Sequence, residues 1–219
     1  MNTFDKYWRE KIVTNTELET SKTLSCKIID NGNTDMINYT QTLISVLKNE
    51  TIDEKIKNIF IRSACHLPHE KLEVAKRVYE ETNSLSKTIK QLESDYKIDI
   101  KKYKNLTDIQ VKDIISRGWG LAGVLKGEDI IATKIPSQFH QYFEEQIPRK
   151  KKYYYCHCPR VKSALLSDQP IDSIYCNCGG GFYVDVWEHI TGKKVKIKTL
   201  TTLFDGHDVC SFKISLINH

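Results

Sequence analysis

Long apolar runs are what this sequence lacks. No window approaches the roughly 18 consecutive apolar residues that a membrane-spanning helix needs, so no membrane span is expected. The opening stretch, MNTFDKYWREK, has no apolar core of signal-peptide length, and a cytoplasmic chain is therefore expected. Neither an internal repeat nor a low-complexity segment is present. The glycine-rich stretch GGGFY matches neither a dinucleotide-binding glycine pattern nor a phosphate loop, so it carries no cofactor assignment by motif.

What is present is an ordinary globular composition. Of 219 residues, 40% are hydrophobic, and Leu, Ile, Val and Phe are spread along the whole length. The formal net charge of +5 gives solubility and weakly favours anionic partners. The densest basic runs, PRKKKYYY (148–155) and KKVKIK (193–198), read as solvated faces rather than a nucleic-acid groove.

Hydropathy periodicity divides the chain near 118. A short helix is expected within FDKYWREKIV, and a helical pattern then runs from about 34 to 117. Met36, Tyr39, Leu43 and Leu47 share one face. Thr51 with Glu54 spells a capping box ahead of Ile52, Ile56, Ile59 and Phe60. Pro68 opens the turn before Leu72, Ala75, Val78 and Tyr79, a further segment ends near Tyr96, and a last helix runs from Thr107 to a stop at Gly118.

Beyond Gly118, GLAGVLKGEDIIATKIP reads as two strands around a Lys-Gly-Glu-Asp turn. A short helix follows Pro136, and GFYVDVWEHITG reads as a helix with Tyr183, Val186, Trp187 and Ile190 on one face. The tail alternates as an antiparallel hairpin, with Val195 and Ile197 against lysines, then Cys210, Phe212, Ile214 and Leu216 on an apolar face. The predicted fold class is α+β: a mainly helical region over 1–117 packed on an antiparallel α+β region over 118–219, with one compact domain left open.

Function rests on the cysteines. Seven cysteines in a reducing compartment point to thiols or metal ligands before disulfides. Cys156 and Cys158 form one Cys-x-Cys pair, and Cys176 and Cys178 form another. Read as strands, each pair projects its sulfurs to one face, so paired strands bring four thiolates together. Four thiolates suit zinc or an iron–sulfur centre, although a one-residue spacer is not the usual zinc knuckle. Thiols lining a ligand pocket, and buried structural cysteines, remain open alternatives.

GGGFY reads as a strand-to-helix turn. Gly179, Gly180 and Gly181 then allow close approach, with helix amides near Cys178 and with Tyr183, Trp187 and Cys210 as further ligand-binding candidates. In the enzyme reading, Cys178 is a nucleophile and His157 or His189 its base. His66 and His69 read as capping or surface residues; Cys26 and Cys65 carry no pattern.

The stretch CNCGGGFYVDVWEHITGKKVKIKTLTTLFDGHDVCSFKISL (176–216) resembles the C-terminal part of 4-vinyl-reductase-type domains and of L-2-amino-thiazoline-4-carboxylate hydrolase-like proteins. Gly206, Cys210 and Phe212 are the positions that match. The chain from about 60 onward, with RGWGLAG, CHCPR and YCNCGGGFY, also resembles a bacterial and archaeal family of uncharacterised proteins. The resemblance implies an α+β fold, an apolar ligand cavity and, in some members, a cysteine-held metal. The expected partner is a small-molecule ligand, with a homodimer open. Two functions follow: a small-molecule- or metal-binding protein with a cysteine-lined site, or a cysteine-dependent hydrolase acting on a small heterocycle or amide.

Overall fold

The structure is a computed structural model that describes residues 3–29, 35–104 and 106–217. Position 34, where the sequence reading begins its long helical stretch, lies outside them, as do the ends of the ambiguous segment 1–30. The fold class is α+β. Helices dominate the chain, and a four-stranded antiparallel sheet is built from segments on either side of the cysteine motifs.

The chain forms two compact units that are interleaved in sequence. The first contains Met1–Cys65, Pro136–Gly181 and Thr202–Asp208; the second contains His66–Ile135, Phe182–Thr201 and Val209–His219. The units therefore do not part near 118. Strand pairing ties 129–133 to 211–215, and a shared core ties the first helices to residues 161–175, so a single cut cannot separate them.

The first unit is helical. It begins with α1 (Thr3–Glu19) and α2 (Lys22–Ile29), more helix than the sequence reading places there. Asp35 caps α3 (Met36–Glu50) by accepting from the Asn38 amide at 2.9 Å. Helix α4 (Asp53–Arg62) starts one residue later than the capping-box reading requires: Ile52 is its N-cap, without a side-chain bond. Thr51 instead ends α3, its amide bonded to the Leu47 carbonyl. Trp8, Ile12, Leu43, Leu47, Ile56 and Phe60 make the centre of this core, joined by Val161, Ile174 and Tyr175 from later in the chain.

The second unit carries α5 (Glu73–Thr82), α6 (Leu85–Lys104) and α7 (Asp108–Ser116). Helix α6 continues well past Tyr96, because Ile100 extends its buried face. A capping box between Thr107 and Gln110 opens α7. Strands β1 (Val124–Lys126) and β2 (Asp129–Thr133) flank the expected turn, with Gly127 at φ 63°.

Two short helices of the first unit come next, α8 (Phe139–Glu144) and α9 (Pro148–Tyr155). Then come α10 (Asn177–Thr191), β3 (Val195–Thr201) and β4 (Ser211–Leu216). The sheet order is β1-β2-β4-β3, every pair antiparallel. β3 alternates as read, with Val195 and Ile197 partly buried and Lys196 and Lys198 exposed. Phe212 and Ile214 of β4 join Ile130 and Ala132 of β2, the α5 and α6 residues Ala75, Tyr79 and Leu92, and Trp187 of α10 in one core.

Candidate functional site

Neither cysteine pair lies on a strand. Pro148 at the first helical position starts α9, whose last residue is Tyr155, so Cys156 is the helix C-cap. The Cys156 amide bonds the Lys152 carbonyl at 3.0 Å, and the Ser137 hydroxyl lies 2.9 Å from the Cys156 carbonyl. Cys158 follows in the loop. Cys176 ends a 3-10 turn over Ser173–Cys176, and Cys178 is in the first turn of α10. The Asp172 carboxylate caps that turn by accepting from the Ile174 amide at 2.9 Å and is itself paired with Lys48. The same-face geometry of the sequence reading required strands, so it does not apply here.

The glycine run is likewise not a turn. Gly179, Gly180 and Gly181 all lie inside α10. The special demand falls on Gly181, where an added Cβ would lie 1.9 Å from the Ile61 carbonyl oxygen and 2.7 Å from Ala64 Cβ. Glycine here lets the end of α4 press against the α10 backbone. The helix therefore begins before Phe182, at Asn177, whose side-chain amide donates to the Ile174 carbonyl at 2.8 Å.

Cys158 and Cys178 nevertheless come to one place. Both pack against the first core beside Tyr175. The Tyr175 hydroxyl lies 2.9 Å from Cys158 Sγ. Burial pushes the Tyr175 phenol well above its ordinary value, Cys158 and Cys178 add to the shift, and Arg160 opposes it. The phenol is thus held protonated, and its oxygen is in hydrogen-bonding contact with the sulfur.

Arg160 completes the group. It is only 4% exposed, and its Nε lies 3.3 Å from Asp5 Oδ1. Its guanidinium stacks 4.2 Å from the Phe4 ring centroid and 4.7 Å from that of Trp8. Burial acts against the Arg160 charge, but Tyr175, Cys158 and Cys65 act for it and prevail, and the Cys65 side chain is hydrogen-bonded to it. Removing one member of such a buried pair costs about 3–5 kcal/mol, so the cation is a fixed feature of the unit. The accessible side of the cluster is sulfur: Cys65 is exposed, while Cys158 and Cys178 are partly so. The cluster therefore presents partly exposed thiols in front of a buried cation and a buried phenol hydroxyl.

Sequence reasoning missed Arg160, Tyr175, Asp5, Trp8 and Cys65. A signal existed for two of them, since Arg160 and Tyr175 are embedded in CHCPR and IYC. Asp5 and Trp8 share a helix face in FDKYW, and Cys65 had no local signal.

The remaining candidates are elsewhere. His157 is exposed in the loop between Cys156 and Cys158. Tyr183 and Trp187 are fully buried core residues of the second unit, the Tyr183 hydroxyl donating to the Gly120 carbonyl at 3.0 Å. Cys210, just before β4, packs on that core and its carbonyl accepts from Lys134. His189 also belongs to the second unit, with Nε2 2.8 Å from Glu73 Oε1 and its ring stacked on His69. Asp185 gathers His66 Nδ1 at 2.9 Å and His69 Nε2 at 3.2 Å.

Among the described residues, no group of three or more His, Cys, Asp or Glu side chains is arranged to hold a metal ion. The described residues thus add no support to the zinc or iron–sulfur centre of the sequence reading. The stretch GWGLAG (118–123) formally spells a dinucleotide-binding glycine pattern, but it lies between α7 and β1. That is the reverse of the strand-to-helix context that cradles a pyrophosphate. The basic run of α9 is engaged within its own unit: Arg149 pairs with Asp168 at 3.1 Å, and Lys152 with Asp208 at 3.3 Å. Among the described residues, no helix is long and apolar enough to cross a membrane.

No protein-family model, no curated protein and no solved structure matches this chain.

Proposed function

We propose that this chain is a small-molecule-binding protein whose site is the cysteine-lined cluster of the first unit. Cys158 supplies the contacting sulfur, Cys178 and Cys65 belong to the same cluster, and Tyr175 and Arg160 are the buried polar groups behind it. The observation that carries this reading is the Tyr175 hydroxyl 2.9 Å from Cys158 Sγ. The resemblance of residues 176–216 to 4-vinyl-reductase-type domains belongs to the same proposal and contributes the small-molecule class of the ligand.

Of the two bases of the hydrolase alternative, His189 is paired with Glu73 in the second unit, whereas His157 is exposed in the loop beside Cys158.

Alkylation tests the reading. Under limiting iodoacetamide near pH 7, peptide mapping is expected to find Cys158 modified before Cys26, although Cys26 is the more exposed. Labelling that simply follows exposure, with Cys26 first, refutes a specialised sulfur at Cys158.

A further inference from the structure

Two buried N–H groups of the first unit have no hydrogen-bond acceptor among the described residues: the indole Nε1–H of Trp8 and the Nε–H of Arg160. Trp8 is 1% exposed and Arg160 4%, so bulk water reaches neither group. A buried donor left unmade is costly, and each one calls for a partner. The two are neighbours, since the Arg160 guanidinium carbon lies 4.7 Å from the Trp8 ring centroid. Asp5 Oδ1 stands 3.3 Å from Arg160 Nε, an ion pair whose direction leaves the Nε–H without a hydrogen bond.

The same floor leads to the sulfur of the cluster. The Trp8 and Tyr175 rings have centroids 5.8 Å apart, and the Tyr175 hydroxyl lies 2.9 Å from Cys158 Sγ. Phe4, whose ring centroid is 4.2 Å from the guanidinium carbon, is 47% exposed, and Cys158 is partly exposed. The buried donors thus adjoin two groups that reach solvent.

We propose that this floor binds the amide group of a small planar carboxamide or lactam, its carbonyl oxygen accepting from Trp8 and Arg160 and its N–H donating to Asp5. This rests on the reading of the cluster as a small-molecule site and names its ligand class.

Charge and geometry select that group. Asp5 already balances Arg160, so a carboxylate ligand would bring a second negative charge to one cation. A ketone or ester would use the donors and offer nothing to Asp5. A carboxylate has about four acceptor positions, so Asp5 takes the amide N–H beside the partners it keeps. A primary carboxamide and a lactam carry C=O and N–H on one edge, where Asp5 and the two donors meet them together. A trans secondary amide points these groups in opposite directions and does not match. The rings of Phe4 and Trp8 give a planar ligand aromatic surfaces to pack on.

The probe is benzamide, titrated into the full chain labelled with nitrogen-15, with benzoate and N-methylbenzamide as comparisons. Benzamide is expected to shift the Trp8 indole and Arg160 Nε–H signals, saturating at one molecule per chain. The indole signals of Trp119 and Trp187, which belong to the second unit, are expected to stay. Benzoate and N-methylbenzamide are expected to bind about ten-fold more weakly or not at all. Trp8→Phe, which keeps a ring and loses the N–H, is expected to weaken benzamide about ten-fold. Asp5→Asn is expected to reverse the preference between benzamide and benzoate. The wild-type titration decides the matter even where a variant fails to fold.

Failure of benzamide to move either N–H signal overturns the proposal. So does tighter binding of benzoate to wild type, or a Trp8 indole proton that keeps a cross-peak to bound water at saturating benzamide. If Cys158 is alkylated ahead of Cys26 while the N–H signals stay, the amide assignment falls and the cysteine-lined site stands. If the signals stay and alkylation follows exposure alone, both fall.

Discussion

The imidazole rings of His69 and His189 stack with their centroids 4.0 Å apart and their planes 25° from parallel. Each ring is tied to a different carboxylate, His69 to Asp185 and His189 to Glu73, and Asp185 also holds His66. The bond from His189 is the main cause holding Glu73 below its ordinary range. Burial raises Asp185, but the bonds from His66 and His69 outweigh it and leave that group low as well.

The direction of the pH effect follows from those shifts. Carboxylates depressed in the folded state bind fewer protons there than in the unfolded chain. Their contribution is therefore present above the unfolded value of about 4 and disappears as pH falls through the lower folded values. Asp185→Asn is expected to have a lower Tm than wild type at neutral pH, with the gap closing between about pH 5 and pH 2. Melting curves followed by circular dichroism across that range decide it. A gap that stays constant or widens in acid excludes this role for Asp185.

Gly181→Ala is expected to destabilise the first unit by about 1–3 kcal/mol, although alanine is the better helix former. The methyl would meet the Ile61 carbonyl oxygen, a backbone atom that cannot swing aside. Thermal or urea denaturation measures the loss. A variant as stable as wild type would mean that α4 and α10 do not approach this closely.

Chelation is expected to leave the fold untouched. Among the described residues no group of three or more His, Cys, Asp or Glu side chains is arranged to hold a metal, and metal-coupled folding would make the fold sensitive to chelators. Protein purified in reductant and treated with EDTA or phenanthroline is expected to keep its Tm and its far-ultraviolet spectrum. Elemental analysis is expected to find well under one zinc or iron per chain. A large fall in Tm on chelation, reversed by adding zinc, would restore the metal centre.

What could be read from sequence depended on whether a signal was local. The alternation of Val195, Lys196, Ile197 and Lys198 marks a strand with one wet face, and β3 is that strand. Thr107 and Gln110 supply both halves of a cap, and α7 begins there. The glycine run was misread because three consecutive glycines argue against helix on propensity, by about 1 kcal/mol each. Close packing at Gly181 outweighs that preference, and propensity carries no information about Ile61.

The cysteine motifs failed for a related reason. The shared-face argument holds only on strands, and Pro148 starts a helix that runs to Tyr155, immediately before Cys156. The cluster that did form unites Asp5, Cys65, Cys158, Arg160 and Tyr175 from three distant parts of the chain. Only the fold makes them neighbours. The Cys-x-Cys spacing that drew attention to Cys156 and Cys176 says nothing about an arginine stacked on Trp8.

The sheet order has a consequence for synthesis on the ribosome. β1 and β2 can pair as soon as residue 133 emerges, but the next neighbour of β2 is β4, which ends at Leu216. Until then β2 presents an open edge, with Ile130 and Ala132 lacking Phe212 and Ile214 as core partners. The nascent chain thus carries a hairpin with an exposed hydrogen-bonding edge through most of its later elongation. During that interval, stalling or crowding favours pairing with another chain over waiting for the native strand.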